Sequence, residues 1–138
     1  MADFVDPTRE SFGLFKDLPR DHPVQMLNLV LLNEKAVYPD GTTCSGAEAY
    51  SAYGRESGPV FRELGGRIIW SGDFQLTLIG PQDEIWDIAF IAEYPSGQAF
   101  IDMLRNPAYR QAVVHRQAAV RTSRLIRMKP KAVSGSFG

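Results

Sequence analysis

The chain has 138 residues, 44% hydrophobic and 22% charged, which is enough for one domain with a packed core and too few for two ordinary ones. A formal net charge of −1 gives no general case for binding nucleic acid or an anionic membrane. The single cysteine, Cys44, excludes an internal disulfide and any Cys-based zinc site, and no apolar run approaches the length of a bilayer crossing.

In chain order, Met1-Ala2-Asp3-Phe4-Val5-Asp6 lacks the basic and apolar regions of a signal peptide, so a cytoplasmic location is expected. Asp6-Pro7-Thr8 predicts a helix start, with Asp6 as N-cap and Pro7 at the first helical position. The helix carries Phe12, Leu14, Phe15 and Leu18 and stops before Pro19, forming an N-terminal arm over residues 1–22 whose apolar side chains need cover. Val24 to Leu32 is a near-continuous apolar run of strand length, read as a central strand. Asn33 to Cys44 reads as a long loop with an Asp40-Gly41 turn. Ser45 and Glu48 form a capping box that opens a helix to about Leu64, closed by Gly65-Gly66, with a kink expected at Pro59. At 100° per residue Tyr50, Tyr53, Ser57, Phe61 and Leu64 share the face that packs on a sheet.

Arg67 to Ile79 is β-type, with a bulge or bend expected at Gly72-Asp73, and Trp86 to Tyr94 is the strand that pairs with it as a hairpin. Ser96 caps a second helical region, which Asn106-Pro107 restarts after a break. Arg121 to Met128 alternates as a last strand, and residues 129–138 read as a flexible tail. The order predicts an α+β, ferredoxin-like β-α-β-β-α-β domain over residues 23–128, with a four-stranded antiparallel sheet, helices on one face and an extra N-terminal helix. The other face stays bare, yet Met26, Leu27, Leu29, Val30 and Leu31 are apolar in both directions. A second copy of the same sheet is the simplest cover, giving a homodimer shaped as an α/β barrel with a cavity at each end.

The ordered set Met26-Leu27-Asn28-Leu29, Tyr50, Tyr53, Gly65-Gly66, Gly72, Trp86-Asp87, Tyr94-Pro95-Ser96, Phe100, Met103, Pro107-Ala108-Tyr109 and His115-Arg116 resembles the uncharacterised family called domain of unknown function 1330, within the dimeric α/β-barrel superfamily. The resemblance covers about residues 24–128. It implies the fold and dimer already inferred and no established activity. The wider superfamily includes cofactor-free monooxygenases, haem-degrading and haem-dependent enzymes and lactone isomerases, and fold alone does not choose among them. The haem-degrading pattern does not align here: Asn28, Trp70 and His115 are present as types, but their spacing does not match.

Candidate chemistry rests on a few polar side chains. Arg116 falls near the centre of an apolar helical arc made by Tyr109, Ala112, Val113, Ala119 and Val120. It is either a structural ion pair with Asp87 or Glu93, or a pocket residue that fixes a ligand carboxylate or enolate. His115, beside that arc, suits acid/base work near neutral pH, though a lone helix-edge histidine is more often a surface or packing residue. Asn28 interrupts the central strand and either bonds a loop or points into a cavity. Tyr50 and Tyr53 are core by spacing, with one hydroxyl able to reach a cavity, and Trp70 and Trp86 are core or interface aromatics. Asp87 is the partner of Arg116 or a catalytic base. The chain carries no metal-ligand spacing, phosphate loop or nucleophile elbow, so no cofactor or metal is expected.

Charge is uneven: residues 1–99 hold 7 Lys/Arg against 15 Asp/Glu, while 100–138 hold 8 Lys/Arg against Asp102 alone. Either the basic end pairs with acidic surface elsewhere or it forms an anion site. Two readings follow. One is a cofactor-independent isomerase or monooxygenase for a small apolar molecule bearing an oxygen or carboxylate, with Arg116, Asn28, Tyr53 and Trp70 as binding residues and His115 or Asp87 moving a proton. The other is a non-catalytic ligand-binding or structural dimer.

Overall fold

Pro23 and Asn33 bracket the run that becomes the central strand β1 (Val24–Leu32), whose bounds match those read from the sequence. In the computed structural model, which describes residues 2–138, β1 is preceded by helix α1 (Arg9–Asp17) and followed by a short hairpin, β2 (Lys35–Val37) and β3 (Thr43–Ser45). Then come α2 (Gly46–Glu63), β4 (Arg67–Gly72), β5 (Ile88–Tyr94), α3 (Gly97–Arg105), α4 (Pro107–Ala119) and β6 (Val120–Met128). The large sheet has the order β4-β5-β1-β6 with every pairing antiparallel. Apart from the added hairpin and α1, this is the ferredoxin-like β-α-β-β-α-β arrangement.

The local signals explain most boundaries. Ser45 and Glu48 cap α2 reciprocally, and Gly65, at φ +84°, takes the left-handed conformation that ends it. Pro59 lies inside α2 without ending it. Asn106 accepts from the Ala108 and Tyr109 amides and, with Pro107 behind it, opens α4. Gly46 is needed for close approach, because a Cβ there would lie 1.8 Å from the Asn33 carbonyl oxygen.

Four expectations are corrected. Thr8, not Asp6, is the N-cap of α1: its hydroxyl accepts from the Ser11 amide while the Ser11 side chain accepts from the Thr8 amide, and Pro7 stays outside the helix. The stretch from Asn33 to Cys44 is not all loop, since Ala36 is fully buried in β2 opposite Cys44. The strand expected over 67–79 ends at Gly72, and its bulge lies earlier, between Ile68 and Trp70. The following strand begins at Ile88 rather than Trp86.

Register sorts the sheet into two faces. The row Ile68, Ala92, Met26, Arg127 and the row Ser71, Phe90, Asn28, Leu125 face α2 and α4. The row Trp70, Ile91, Leu27, Ile126 faces away, and Trp70 (48% exposed), Ile126 (44%) and Met128 (46%) leave that outer face apolar and uncovered. The core lies on the helix side, around Val24, Met26, Ala92, Tyr94, Phe100 and Tyr109, with a second cluster around Val30, Ala36, Ala49 and Ala119. Among the described residues no helix is long and apolar enough to cross a membrane.

Candidate functional site

Between the inner face of the sheet and its helices lies a cavity of about 1130 Å³ within a single chain. The sequence predicts a cavity at each end of a two-sheet barrel. The cavity instead opens between the sheet and its helices, with Asn28 of β1 and Ala92 of β5 in its wall. Met26, Asn28, Phe90 and Leu125 line its sheet side. Tyr50, Tyr53 and Phe61 from α2, and Tyr109, Val113 and Arg116 from α4, line its helix side. The mouth is edged by the N-terminal arm, with Phe4, Val5, Phe12 and Phe15 all on the wall. The wall is mostly apolar, as in small-molecule sites generally.

Several of its polar groups offer free donors. The Tyr53 and Tyr109 hydroxyls are 2.8 Å apart, so one donates to the other and one proton is left free. The Tyr50 hydroxyl has no hydrogen-bond partner among the described residues. Burial pushes the Tyr50 and Tyr109 phenols far above the usual tyrosine range, the neighbouring Tyr53 adds to this, and the Arg116 charge opposes it. These phenols stay protonated at any physiological pH. Asn28 donates through Nδ2 to the Met26 carbonyl at 3.0 Å, and its Oδ1 accepts nothing among the described residues.

Arg116 lines the cavity, as its place on the helical arc predicts, but its partners are corrected. Its guanidinium donates to the Val5 carbonyl and, at 3.1 Å, to the Ser123 hydroxyl. It makes no ion pair among the described residues. Glu93 cannot serve, because it sits on the outer face between Gln25 (2.8 Å) and Arg67 (2.7 Å), whose hydrogen bonds hold its carboxyl below the usual range. Asp87 cannot serve either: it precedes β5 and accepts from the Leu32 amide at 2.8 Å. The basic end of the chain follows the same pattern, for Arg127 donates to the Phe15 and Pro19 carbonyls and stacks on the Phe15 ring at 4.5 Å.

The remaining sequence candidates fall outside the cavity. His115 sits on the far flank of α4, its Nδ1 2.6 Å from the Tyr38 hydroxyl and its Nε2 2.6 Å from Glu56, so both ring nitrogens are occupied. Asp87 lies on a separate, shallower groove of about 650 Å³ with Ser45, Ser51 and Tyr50. The bulge turns Trp70 to the outer face, where its ring covers Gly72. The structure thus brings together Asn28, Tyr53 and Arg116 and leaves out His115, Asp87 and Trp70. Sequence reasoning had counted Tyr109 as core alone and had not joined the arm to the cavity. The unpaired aromatic face of α1 was the available signal.

Residues 42–128 match the model of a family described as Domain of unknown function (DUF1330), which leaves β1 and the N-terminal arm outside the matched segment. A solved structure of the methylated RPA0582 protein is 59% identical, covers 96% of this chain and 98% of its own, and superposes with a TM-score of 0.93. A second structure of RPA0582, a protein of unknown function from Rhodopseudomonas palustris, is also 59% identical, covers 96% of this chain and 100% of its own, with a TM-score of 0.91. SnoaB, a cofactor-independent oxygenase from Streptomyces nogalater, shares the fold at 17% identity, covering 83% of this chain and 99% of its own with a TM-score of 0.51. No curated protein matches the chain.

Proposed function

The chain belongs to the family of the domain of unknown function DUF1330, and from that premise we propose that it binds a small, mostly apolar molecule carrying an oxygen acceptor or acid group in the cavity between sheet and helices, and acts on it without a cofactor. The observation that carries this reading is a set of donors in a mostly apolar wall: the Tyr50 hydroxyl, the one free proton of the Tyr53–Tyr109 pair and the Arg116 guanidinium, beside a single free amide acceptor, Asn28 Oδ1. Such a wall favours the form of a ligand that bears negative charge on oxygen, an enolate, phenolate or carboxylate. Isomerisation or oxygenation of an ionisable cyclic substrate fits that electrostatics. SnoaB is a cofactor-independent oxygenase on the same fold, which makes the chemistry compatible with the architecture without choosing it.

A second reading, a non-catalytic ligand-binding module, is favoured by one specific observation. Among the described residues the cavity lining includes no histidine and one carboxylate, Asp6, which is exposed on the arm and lies 3.3 Å from the Gln117 side chain. A substrate would therefore have to ionise under the influence of the donors rather than by transfer to a protein base. Binding of naphthol tests both readings. If the site stabilises oxyanions, bound naphthol shows the naphtholate absorbance at a pH where free naphthol is neutral. Binding without that spectral change leaves the storage module, and no binding removes the cavity reading.

A homodimer built on the outer sheet face, in a cytoplasmic setting, is part of the same proposal. Its support is the apolar row of Trp70, Ile91, Leu27 and Ile126, which a second copy related by a two-fold axis would cover.

A further inference from the structure

The arm that edges the cavity is fastened at both ends. At its far end Arg127 bonds the Phe15 and Pro19 carbonyls, Phe15 packs on Phe100 at 4.9 Å, and the Gln98 amide donates to the Arg20 carbonyl at 3.1 Å. At its near end the Ser123 amide donates to the Phe4 carbonyl at 2.7 Å, and Arg116 donates to the Val5 carbonyl. Between these anchors α1 has no buried residue, and Leu14 is 63% exposed. The near end of this strap is held mainly by polar contacts: the Phe4 amide donates to the Thr122 hydroxyl at 3.0 Å, that hydroxyl donates to the Ala2 carbonyl at 2.7 Å, and Arg116 supplies the bond to Val5.

The contacts of Arg116 and Ser123 with the strap form one linked set. The Ser123 hydroxyl accepts from Arg116 at 3.1 Å and donates to the Phe4 carbonyl at 2.9 Å. A guanidinium that leaves Val5 and Ser123 thus withdraws one bond from the strap and loosens the group that holds the next one. The same guanidinium lines the cavity and has no carboxylate partner among the described residues. Its present acceptors, a carbonyl and a hydroxyl, are neutral. An anionic oxygen forms a charge-assisted bond roughly twice as strong as a neutral one, and a carboxylate can take two N–H groups at once.

We propose that Arg116 is an exchange point between strap and ligand: in the empty cavity it holds the strap through the Val5 carbonyl, and an anionic ligand takes that guanidinium edge and frees the near end of the strap. The inference rests on the cavity being the ligand site and adds two things to it. The ligand class is an apolar body with a carboxylate or comparable oxyanion. Loading is coupled to opening about the anchor at Phe15 to Arg20, so anionic and neutral ligands of the same shape leave the arm in different states.

Naphthoate and neutral acetylnaphthalene, matched in ring size, test this on the intact chain by calorimetric binding and amide hydrogen exchange. Naphthoate is expected to speed exchange at the Phe4 and Ser123 amides about tenfold while the Gln98 amide, at the far anchor, stays protected. Acetylnaphthalene is expected to bind more weakly and leave all three unchanged. Arg116→Met should exchange fast at Phe4 and Ser123 without any ligand. Naphthoate binding with Phe4 and Ser123 still protected would overturn the exchange while leaving the cavity reading intact, as would equal effects of the two ligands. If neither molecule binds, the cavity reading itself fails.

Discussion

Replacing Arg116 by methionine measures what this arginine does for the fold. Methionine keeps most of the apolar stem and removes the guanidinium, so the loss is limited to two hydrogen bonds, to the Val5 carbonyl and the Ser123 hydroxyl. Bonds from a charged donor are worth about 1.5–3 kcal/mol each before the acceptors find new partners. Both acceptors do: the Val5 carbonyl and the Ser123 hydroxyl line the cavity, where water can take the place of the guanidinium. Removing a half-buried cation that lacks a counter-ion also relieves desolvation. The expected net cost is about 1–2 kcal/mol, read as a lower urea midpoint with unchanged slope at one fixed protein concentration. A buried ion pair stripped of one partner would cost about 3–5 kcal/mol. A loss of that size would refute the reading of Arg116 as unpaired. So would non-additivity with Asp87→Asn, since the structure gives the two residues no shared partner.

Gly46→Ala should destabilise by about 1–3 kcal/mol, because its Cβ would meet the Asn33 carbonyl oxygen at 1.8 Å, whereas Gly54→Ala, in open space on the same helix, should stabilise by about 0.5–1 kcal/mol. Equal urea midpoints for the two variants would contradict this. Tyr50, Tyr94 and Tyr109 have phenols raised by burial, so their contribution to stability is full below the unfolded value of about 10 and falls as pH rises through and beyond it. Their phenolate absorbance should appear together with loss of helical circular dichroism, and full titration of a still-folded chain would count against their burial. Light scattering at micromolar concentration should give twice the 15.4 kDa chain mass, with an interface above about 2,000 Å². Ile126→Glu, on the outer face, should shift the protein to monomer, and a wild-type monomer would end the dimer proposal.

Signals confined to a few neighbouring residues were legible in the sequence. The run from Val24 to Leu32 is bounded by residues that stop a strand, and the reciprocal caps at Ser45 and Glu48, together with Asn106-Pro107, need only local geometry. What failed depended on competition between near-equal local options. Asp6, with Pro7 behind it, and Thr8 both suit an N-cap. The choice falls to Thr8 because Ser11 answers it three residues on. The β2–β3 hairpin is too short to show a period, and its buried Ala36 is held by contacts with Ala49 and Ala118 that lie far away in sequence.

The site shows the same division with larger consequences. Helical spacing gives a direction, so Arg116 and Tyr53 were legible as facing inward, and a polar residue in an apolar strand made Asn28 visible. Spacing gives no partner. The groups that meet Arg116 are a backbone carbonyl 111 residues away and a hydroxyl on the next strand, neither of which a sequence marks as a counterpart for a charge. Trp70 shows how one residue can decide a face. Simple alternation from Ile68, which pairs with Ala92 on the inner face, would send Trp70 inward beside Phe90. The extra residue between Ile68 and Trp70 shifts its partner to Ile91 and turns the indole outward. The bulge thus takes the largest aromatic ring of β4 out of the cavity and adds it to the apolar outer face. Moving that ring enlarges the space available to a ligand and increases the surface a second copy must cover, so pocket and proposed dimer draw on the same local irregularity.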